Sequence, residues 1–268
     1  MRTPSLVLCE LTKTGVPGLE SYSPFCLKVH RALRAAGLHY ESRHTARPDT
    51  YRKYNPAGQV PVLLVDGEPV FDSTCILQRI ETLAAVPLSR TSDVAARAEA
   101  WLWEELADTS LNGFVVAARW ADERNWTAVR AAYFGDAPWF VRALIVPRIR
   151  ARVIRGLHAR DVWRARADAC WQRFEATLDH LEVRAPISGF WMGAASSVAD
   201  IAIFAQLHSL RTALTEPQGR SIAARSRLSA YLDRVDLATR TTATTSAPML
   251  APSLVGTRRA VDVRAAHA

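Results

Sequence analysis

Residues 21–38 read SYSPFCLKVHRALRAAGL, a turn that becomes a helix. Ser23 stands where an N-cap residue belongs, and Pro24 follows at the first helical position, where a missing N–H costs nothing and a fixed φ suits the helix. Phe25, Val29, Ala32, Leu33 and Ala36 recur at helical spacing, and Gly37 is placed as a C′ glycine that ends the run. A helix start with free N–H groups and a small hydroxyl stabilises an anion, a thiolate among them. The other reading of the same residues is a well-capped helix with no chemistry.

Two further stretches bear on that choice. Residues 55–67 read NPAGQVPVLLVDG and residues 71–80 read FDSTCILQRI. Together they predict a turn, Val60-Pro61 before a short strand, an Asp66-Gly67 hairpin, a second strand, and a helix opened by Asp72-Ser73. This order resembles the thioredoxin-like N-terminal domain of the cytosolic glutathione transferase superfamily. The Ser-x-x-Cys pattern at Ser23–Cys26 is similar to serine-type members, and Pro-Phe after the Ser23 position looks like omega-type members, which carry Cys there.

The resemblance implies roles residue by residue. Ser23 holds the glutathione sulfur. Pro61 is a cis-proline that lets Val60 pair with the cysteinyl backbone of the tripeptide. Asp72 takes the ammonium of the γ-glutamyl end, and Ser73 with the helix start takes its carboxylate; Gln59 is a further backbone contact. Asp-Ser before a helix is also an everyday N-cap. The implied fold is a thioredoxin-like α/β domain at 1–85 and an all-α bundle at 92–238; residues 239–268, rich in Thr, Ala and Arg with little periodicity, read as a disordered tail. A homodimer is what the family suggests, and nothing in the sequence itself speaks to it.

With 268 residues, 49% of them hydrophobic and 22% charged, the chain has enough apolar material for one large or two modest cores. The net charge of +8 is almost all arginine, since Lys13, Lys28 and Lys53 are the only lysines. Abundant Arg and Ala fit a GC-rich coding bias, while a basic protein is also drawn to anions such as glutathione or nucleic acid. Cys9, Cys26, Cys75 and Cys170 form no CxxC pair and have no histidine at zinc-ligand spacing, so they read as reduced core residues and no metal is expected. The N-terminus lacks the apolar run of a signal peptide, and no stretch approaches the ~20 apolar residues that span a bilayer. A soluble cytoplasmic protein is the expectation.

In chain order, Leu6 to Leu11 is a buried strand and His39 to Thr45 a weakly patterned second one. Pro48 to Ala57 is a polar connection, Val60 to Val65 and Pro69 to Phe71 are strands, and Ser73 to Ala84 is a helix. That β-α-β-β-α order makes an α/β sandwich. Ala84 to Thr91 reads as a linker, after which strand signals vanish. Ser92 or Asp93 caps a helix carrying Trp101, Leu102 and Leu106; Leu111 to Tyr133 continues helical; Gly135 to Pro138 breaks the chain. Trp139 to Leu157 is helical, with Pro147 a kink or a new start. Val162 to Leu181 is amphipathic, and Leu228 to Leu237 forms a final helix. Between them SSVADIAIFAQL begins with Ser197 and Asp200 in a capping-box arrangement and is apolar nearly all round, so it is buried and its box structural.

Glutathione chemistry needs a thiolate at neutral pH. A free thiol of pKa about 8.5 is only ~3% ionised at pH 7, and lowering it by ~2 units requires ~2.7 kcal/mol in favour of the anion. A charge-assisted bond from the Ser23 hydroxyl supplies ~1.5–3 kcal/mol, and the helix N-terminus adds up to ~2 kcal/mol when partly buried. Tyr22 is the rival donor, because tyrosine-type members use a phenol near here. With Ser23 at the first position there is no dithiol couple. Cys26 is read as a core cysteine, with a monothiol role as the alternative.

A small hydrophobic electrophile is expected between the domains, with Trp101, Trp103, Phe114, Trp120 and Trp126 as candidate pocket lining or as plain core. Arg142, Arg148, Arg150, Arg152, Arg155, Arg160, Arg164 and Arg166 make a basic run. It lacks a nucleic-acid motif and reads as a solvated face, or else as a contact for a membrane surface or an acidic partner. Against the enzyme stands a non-catalytic transferase-fold protein. The segments YFGDAPWFVRALIVPRIR and FWMGAASSVADIAIF, and SPFCLK with them, look similar to the metaxin and failed-axon-connections branch, where interaction roles dominate. Use of a different small thiol is the third reading.

Overall fold

The computed structural model describes residues 4–165 and 167–241. Strand β1 (Leu6–Leu11) leads through a loop into helix α1 (Pro24–Ala35), followed by β2 (Glu41–Thr45), a 3-10 turn (Pro48–Tyr51), β3 (Val62–Val65), β4 (Glu68–Phe71) and α2 (Ser73–Leu83). The sheet order is β2-β1-β3-β4, with β1 and β2 parallel and the other two pairings antiparallel. Alternation decides its two faces: Leu6, Leu8, Leu63 and Val65 turn toward the helices, while Cys9, Val62 and Leu64 turn toward Tyr51. β2 is largely exposed at the sheet edge, which explains its weak apolar pattern. Helix α1 ends as its sequence predicts. Gly37 sits at φ +71°, Leu38 N–H donates to Leu33 O at 2.9 Å, and Gly37 N–H donates to Arg34 O at 2.9 Å. This is the thioredoxin-like unit, and an all-helical part follows it.

That part contains α3 (Val94–Leu106), α4 (Asn112–Val116), α5 (Glu123–Phe134), α6 (Val146–His158), α7 (Ala167–Arg184), α8 (Val198–His208), α9 (Glu216–Ala223) and α10 (Ser226–Thr239). Helical backbone runs unbroken from Val94 to Ala121, with wider π turns at Ala107–Leu111 and Ala117–Ala121. The break falls at Asp122, which leaves helical backbone and caps α5 by accepting from Arg124 N. A continuous helix from Leu111 to Tyr133 is therefore corrected. So is a helix starting at Val162, because Asp161–Trp163 is a separate 3-10 turn and α7 begins at Ala167. Strand β3 starts at Val62, two residues later than its apolar run. The short helix α9 carries too few apolar residues to show in the sequence.

Helix α8 is the centre of the molecule. It packs against α1 on one side and α3 on the other, and one continuous core holds Leu27 and Leu33 of α1 together with Ile201, Phe204 and Leu207 of α8. Asp200 is fully buried at its start and accepts from Ser197 N (2.8 Å), Ser197 Oγ (2.6 Å), Trp191 N (2.7 Å) and Tyr231 Oη (2.7 Å). The linker is tied to this helix through Leu88, whose carbonyl accepts from Val198 N at 3.1 Å. Cys9, Cys26 and Cys170 are buried, but Cys75 is exposed, because it lies on the outer side of α2. Of the tail expected to be disordered, Thr239 belongs to α10, and residues 242–268, like Arg166 of the basic run, lie outside the described residues.

Candidate active site

Ser23 ends the β1–α1 loop in extended backbone (φ −92°, ψ 119°) and caps α1, its Oγ accepting from Cys26 N at 3.3 Å. The hydroxyl keeps a proton to donate, and the Cys26 thiol is already among the groups it meets. Cys26 is fully buried, and burial, with the charge of Glu10 adding, pushes its thiol far above the ordinary range. It is therefore a neutral core thiol at physiological pH. Tyr22 points the other way: its hydroxyl donates to Ala132 O at 3.0 Å and its ring meets Tyr133 edge-on at 4.8 Å.

Gln59, Val60 and Pro61 come from the loop before β3, and the Val60–Pro61 peptide is cis. Asn55 braces that loop, donating to Gln59 O at 3.0 Å and accepting from Ala57 N at 3.1 Å. Asp72 has φ +70° and caps α2, its Oδ1 accepting from Thr74 N (2.9 Å) and Cys75 N (3.2 Å). Ser23, Gln59, Val60, Pro61, Asp72 and Ser73 all line one cavity of about 610 Å³. Leu11 and Phe25 give it apolar wall, and Glu105, Asp108 and Arg160 close it from the helical side.

Of the two readings kept for the aromatic residues, pocket lining is not met at this cavity, since none of Trp101, Trp103, Trp120 or Trp126 lines it and neither does Phe114. Phe114 packs on Phe174 in the core, Trp103 on Trp191, and Trp120 on Trp126 and Tyr133. Glu105 of α3 and Asp108 of the wide turn Ala107–Leu111 line the site in their place.

Sequence reasoning missed the polar network beneath the cavity. Lys28 is fully buried and donates to Glu104 (2.6 Å) and to Asp108. Thr74 Oγ1 donates to Glu104 at 2.8 Å, Ser73 Oγ to Asp108 at 3.4 Å, and Gln206 Nε2 to the other Asp108 oxygen at 3.4 Å. Gln206 Oε1 accepts from Asn112 (3.2 Å), whose Oδ1 accepts from Arg160 (2.7 Å). Burial pushes the Asp108 carboxyl up to about 6, with Glu104 adding to the rise and Lys28 opposing it. A usable signal was in the sequence: a lone lysine beside apolar positions of α1, and two carboxylates four residues apart on one later helix. No His, Cys, Asp or Glu group suited to a metal ion occurs among the described residues.

Residues 22–83 match the family model of the glutathione S-transferase N-terminal domain, and residues 161–234 match that of the C-terminal domain. The chain belongs to the glutathione S-transferase superfamily. A curated relative, Protein LigF of Sphingobium sp. strain SYK-6, is 31% identical over 110 residues, a match that spans 39% of this chain and 42% of that one. The crystal structure of the beta-etherase LigF from the same strain aligns with a TM-score of 0.59 at 21% identity, covering 88% of this chain and 97% of that chain. Glutathione transferase Omega 2S from Trametes versicolor aligns at 0.55 with 18% identity, covering 88% and 89%. These structural likenesses are likenesses of fold.

Proposed function

We propose that the protein is a glutathione-dependent transferase that holds the tripeptide as a thiolate for conjugation to, or reduction of, a small hydrophobic electrophile. One observation supports the reading above others: three separate stretches, at Ser23, at Gln59–Pro61 and at Asp72–Ser73, open on a single cavity. In this reading Ser23 Oγ keeps its cap to Cys26 N and donates its proton to the sulfur. That bond contributes ~1.5–3 kcal/mol and the start of α1 up to ~2 kcal/mol, enough for the ~2.7 kcal/mol that a useful thiolate population needs. Ser23 is a hydrogen-bond donor, and the nucleophile is the substrate's own sulfur.

Val60 pairs with the cysteinyl backbone, Gln59 with the neighbouring amide, and Asp72 together with Asp108 faces the ammonium. Ser73 turns its proton from Asp108, held across a long 3.4 Å contact, to the γ-glutamyl carboxylate. The electrophile enters against Phe25 and Leu11, the apolar part of the wall. Since one similar protein is a beta-etherase, an ether is the first electrophile class to assay. A cytoplasmic location, expected from the sequence, and a homodimer, which the family resemblance implies, belong to the same proposal.

The test is the ultraviolet thiolate absorbance of glutathione titrated against pH with the protein and with Ser23→Ala. A bound thiol titrating well below its free value, and returning toward it in the variant, is the expected result. No binding at millimolar glutathione would overturn the reading in favour of a non-catalytic interaction protein or of another small thiol.

A further inference from the structure

Large hydrophobic side chains are exposed at thirteen described positions, and five of them, Trp139, Phe140, Leu144, Ile145 and Ile149, fall within eleven residues. Trp139 is 73% exposed and Leu144 56%. They occupy the π turn Val141–Ile145, its helical lead-in and the start of α6. Residues 137–160 contain six arginines and no acidic residue. Arg142, Arg148, Arg152 and Arg155 are exposed beside the apolar group. The inner side of the same helix is anchored. Val146 and Leu157 are buried, and Arg150 donates to Trp120 O (2.9 Å) and Glu123 (2.7 Å) over the Trp126 ring. This helix lies outside both segments that the family models match.

We propose that the helix from Trp139 to His158 is a docking surface for an anionic lipid bilayer. Its exposed apolar residues enter the boundary between headgroups and acyl chains, and its arginines meet the lipid phosphates. Exposed aromatic and aliphatic residues interspersed with exposed arginines suit a helix lying in the membrane interface, its apolar residues inserted and its arginine heads at the phosphates. No helix among the described residues is long and apolar enough to cross a membrane. A second copy docked helix to helix would oppose arginines to arginines, since residues 137–160 themselves carry no carboxylate. A nucleic acid would pair with the arginines but leave Leu144, Ile145 and Ile149 without a partner, since aliphatic side chains do not stack on bases.

The experiment is co-sedimentation of the full chain with vesicles of phosphatidylcholine alone and of an equimolar mixture with phosphatidylglycerol. Binding to the mixed vesicles is expected to be at least about tenfold tighter and to weaken as salt shortens the Debye length below about 8 Å. The variant Arg148→Gln/Arg152→Gln/Arg155→Gln is expected to lose affinity on the order of 100-fold, with unchanged melting because all three side chains are exposed. Trp139→Ser/Leu144→Ser is expected to lose the residual binding that survives high salt. No sedimentation with mixed vesicles, or a triple arginine variant that binds as the parent does, overturns the proposal. Capture by polyglutamate or by a polynucleotide without vesicle binding also overturns it and gives the face to an acidic partner.

Discussion

Lys28 Nζ lies 2.6 Å from Glu104 Oε1, although 76 residues separate them and the two side chains are 0% and 1% exposed. With Asp108 on the same ammonium, the pair clamps α1 of the sheet unit to α3 of the helical part just beneath the cavity. Asp108 is the one member of the trio that reaches the cavity wall, so the clamp connects inter-domain packing to the site.

Removing the cation leaves two buried carboxylates with hydrogen bonds from Thr74, Ser73 and Gln206 but without the counter-charge of Lys28. Lys28→Met is expected to cost about 3–5 kcal/mol, read as a lower midpoint in urea at unchanged slope. Lys28→Met combined with Glu104→Gln and Asp108→Asn is expected to recover most of that loss. A single variant as stable as the parent would show that the clamp carries no net stability.

Ser23→Ala is expected to lower turnover with glutathione by well over tenfold, through the lost ~1.5–3 kcal/mol on the thiolate. The lost cap to Cys26 N costs about 1 kcal/mol, too little to unfold the domain. Full activity in the folded variant would rule out the role given to Ser23.

Asp108 titrates at about 6, above its ordinary value because it is buried. Its charge is therefore present above about pH 6 and lost below, so glutathione affinity is expected to fall between pH 7 and pH 5 as the attraction for the ammonium disappears. The stability contribution runs in the opposite direction. A folded-state pKa raised above the unfolded one stabilises fully below the unfolded value of about 3.9 and loses that contribution as pH rises through the folded value. In Asp108→Asn both dependences should vanish from calorimetric titrations; an unchanged pH profile of binding would remove Asp108 from the ammonium site.

Asp200→Ala strips four hydrogen bonds from a fully buried network and leaves Tyr231 Oη and Trp191 N without their acceptor. A loss of about 3 kcal/mol or more is expected, with the thiolate pKa of bound glutathione unaltered. A shifted thiol pKa in a normally folded Asp200→Asn protein would contradict the purely structural role.

Cysteine reactivity separates the sulfurs. Cys75 is exposed, whereas burial raises the thiols of Cys9 and Cys26 and lifts that of Cys170 to about 12. One fast-reacting thiol per native chain is expected with a maleimide, and none in Cys75→Ser. A second fast-reacting thiol, mapped by mass spectrometry to Cys26, would revive a monothiol role beside Ser23.

The sequence by itself determined what depends on neighbours along the chain. Ser23-Pro24 and Gly37 mark the ends of α1, Asp66-Gly67 the hairpin, and Ser197 with Asp200 the start of the buried helix α8, because caps, tight turns and hydrophobic periodicity are properties of a few consecutive residues. The six candidate site residues were named through a family resemblance carried by short local motifs, and the fold brings all six to one cavity. The helical side of the cavity was not. Tryptophans at helical spacing fit a pocket wall and a core equally well in one dimension, and only packing sent Phe114 onto Phe174 and Trp103 onto Trp191. Tertiary structure likewise decided that Lys28 is buried, that Asp108 and Arg160 face the cavity, and that Trp139 and Leu144 do not. Each of those outcomes rests on contacts between residues far apart in the chain, and burial and charge pairing are set by what the fold brings alongside a residue rather than by its neighbours in sequence.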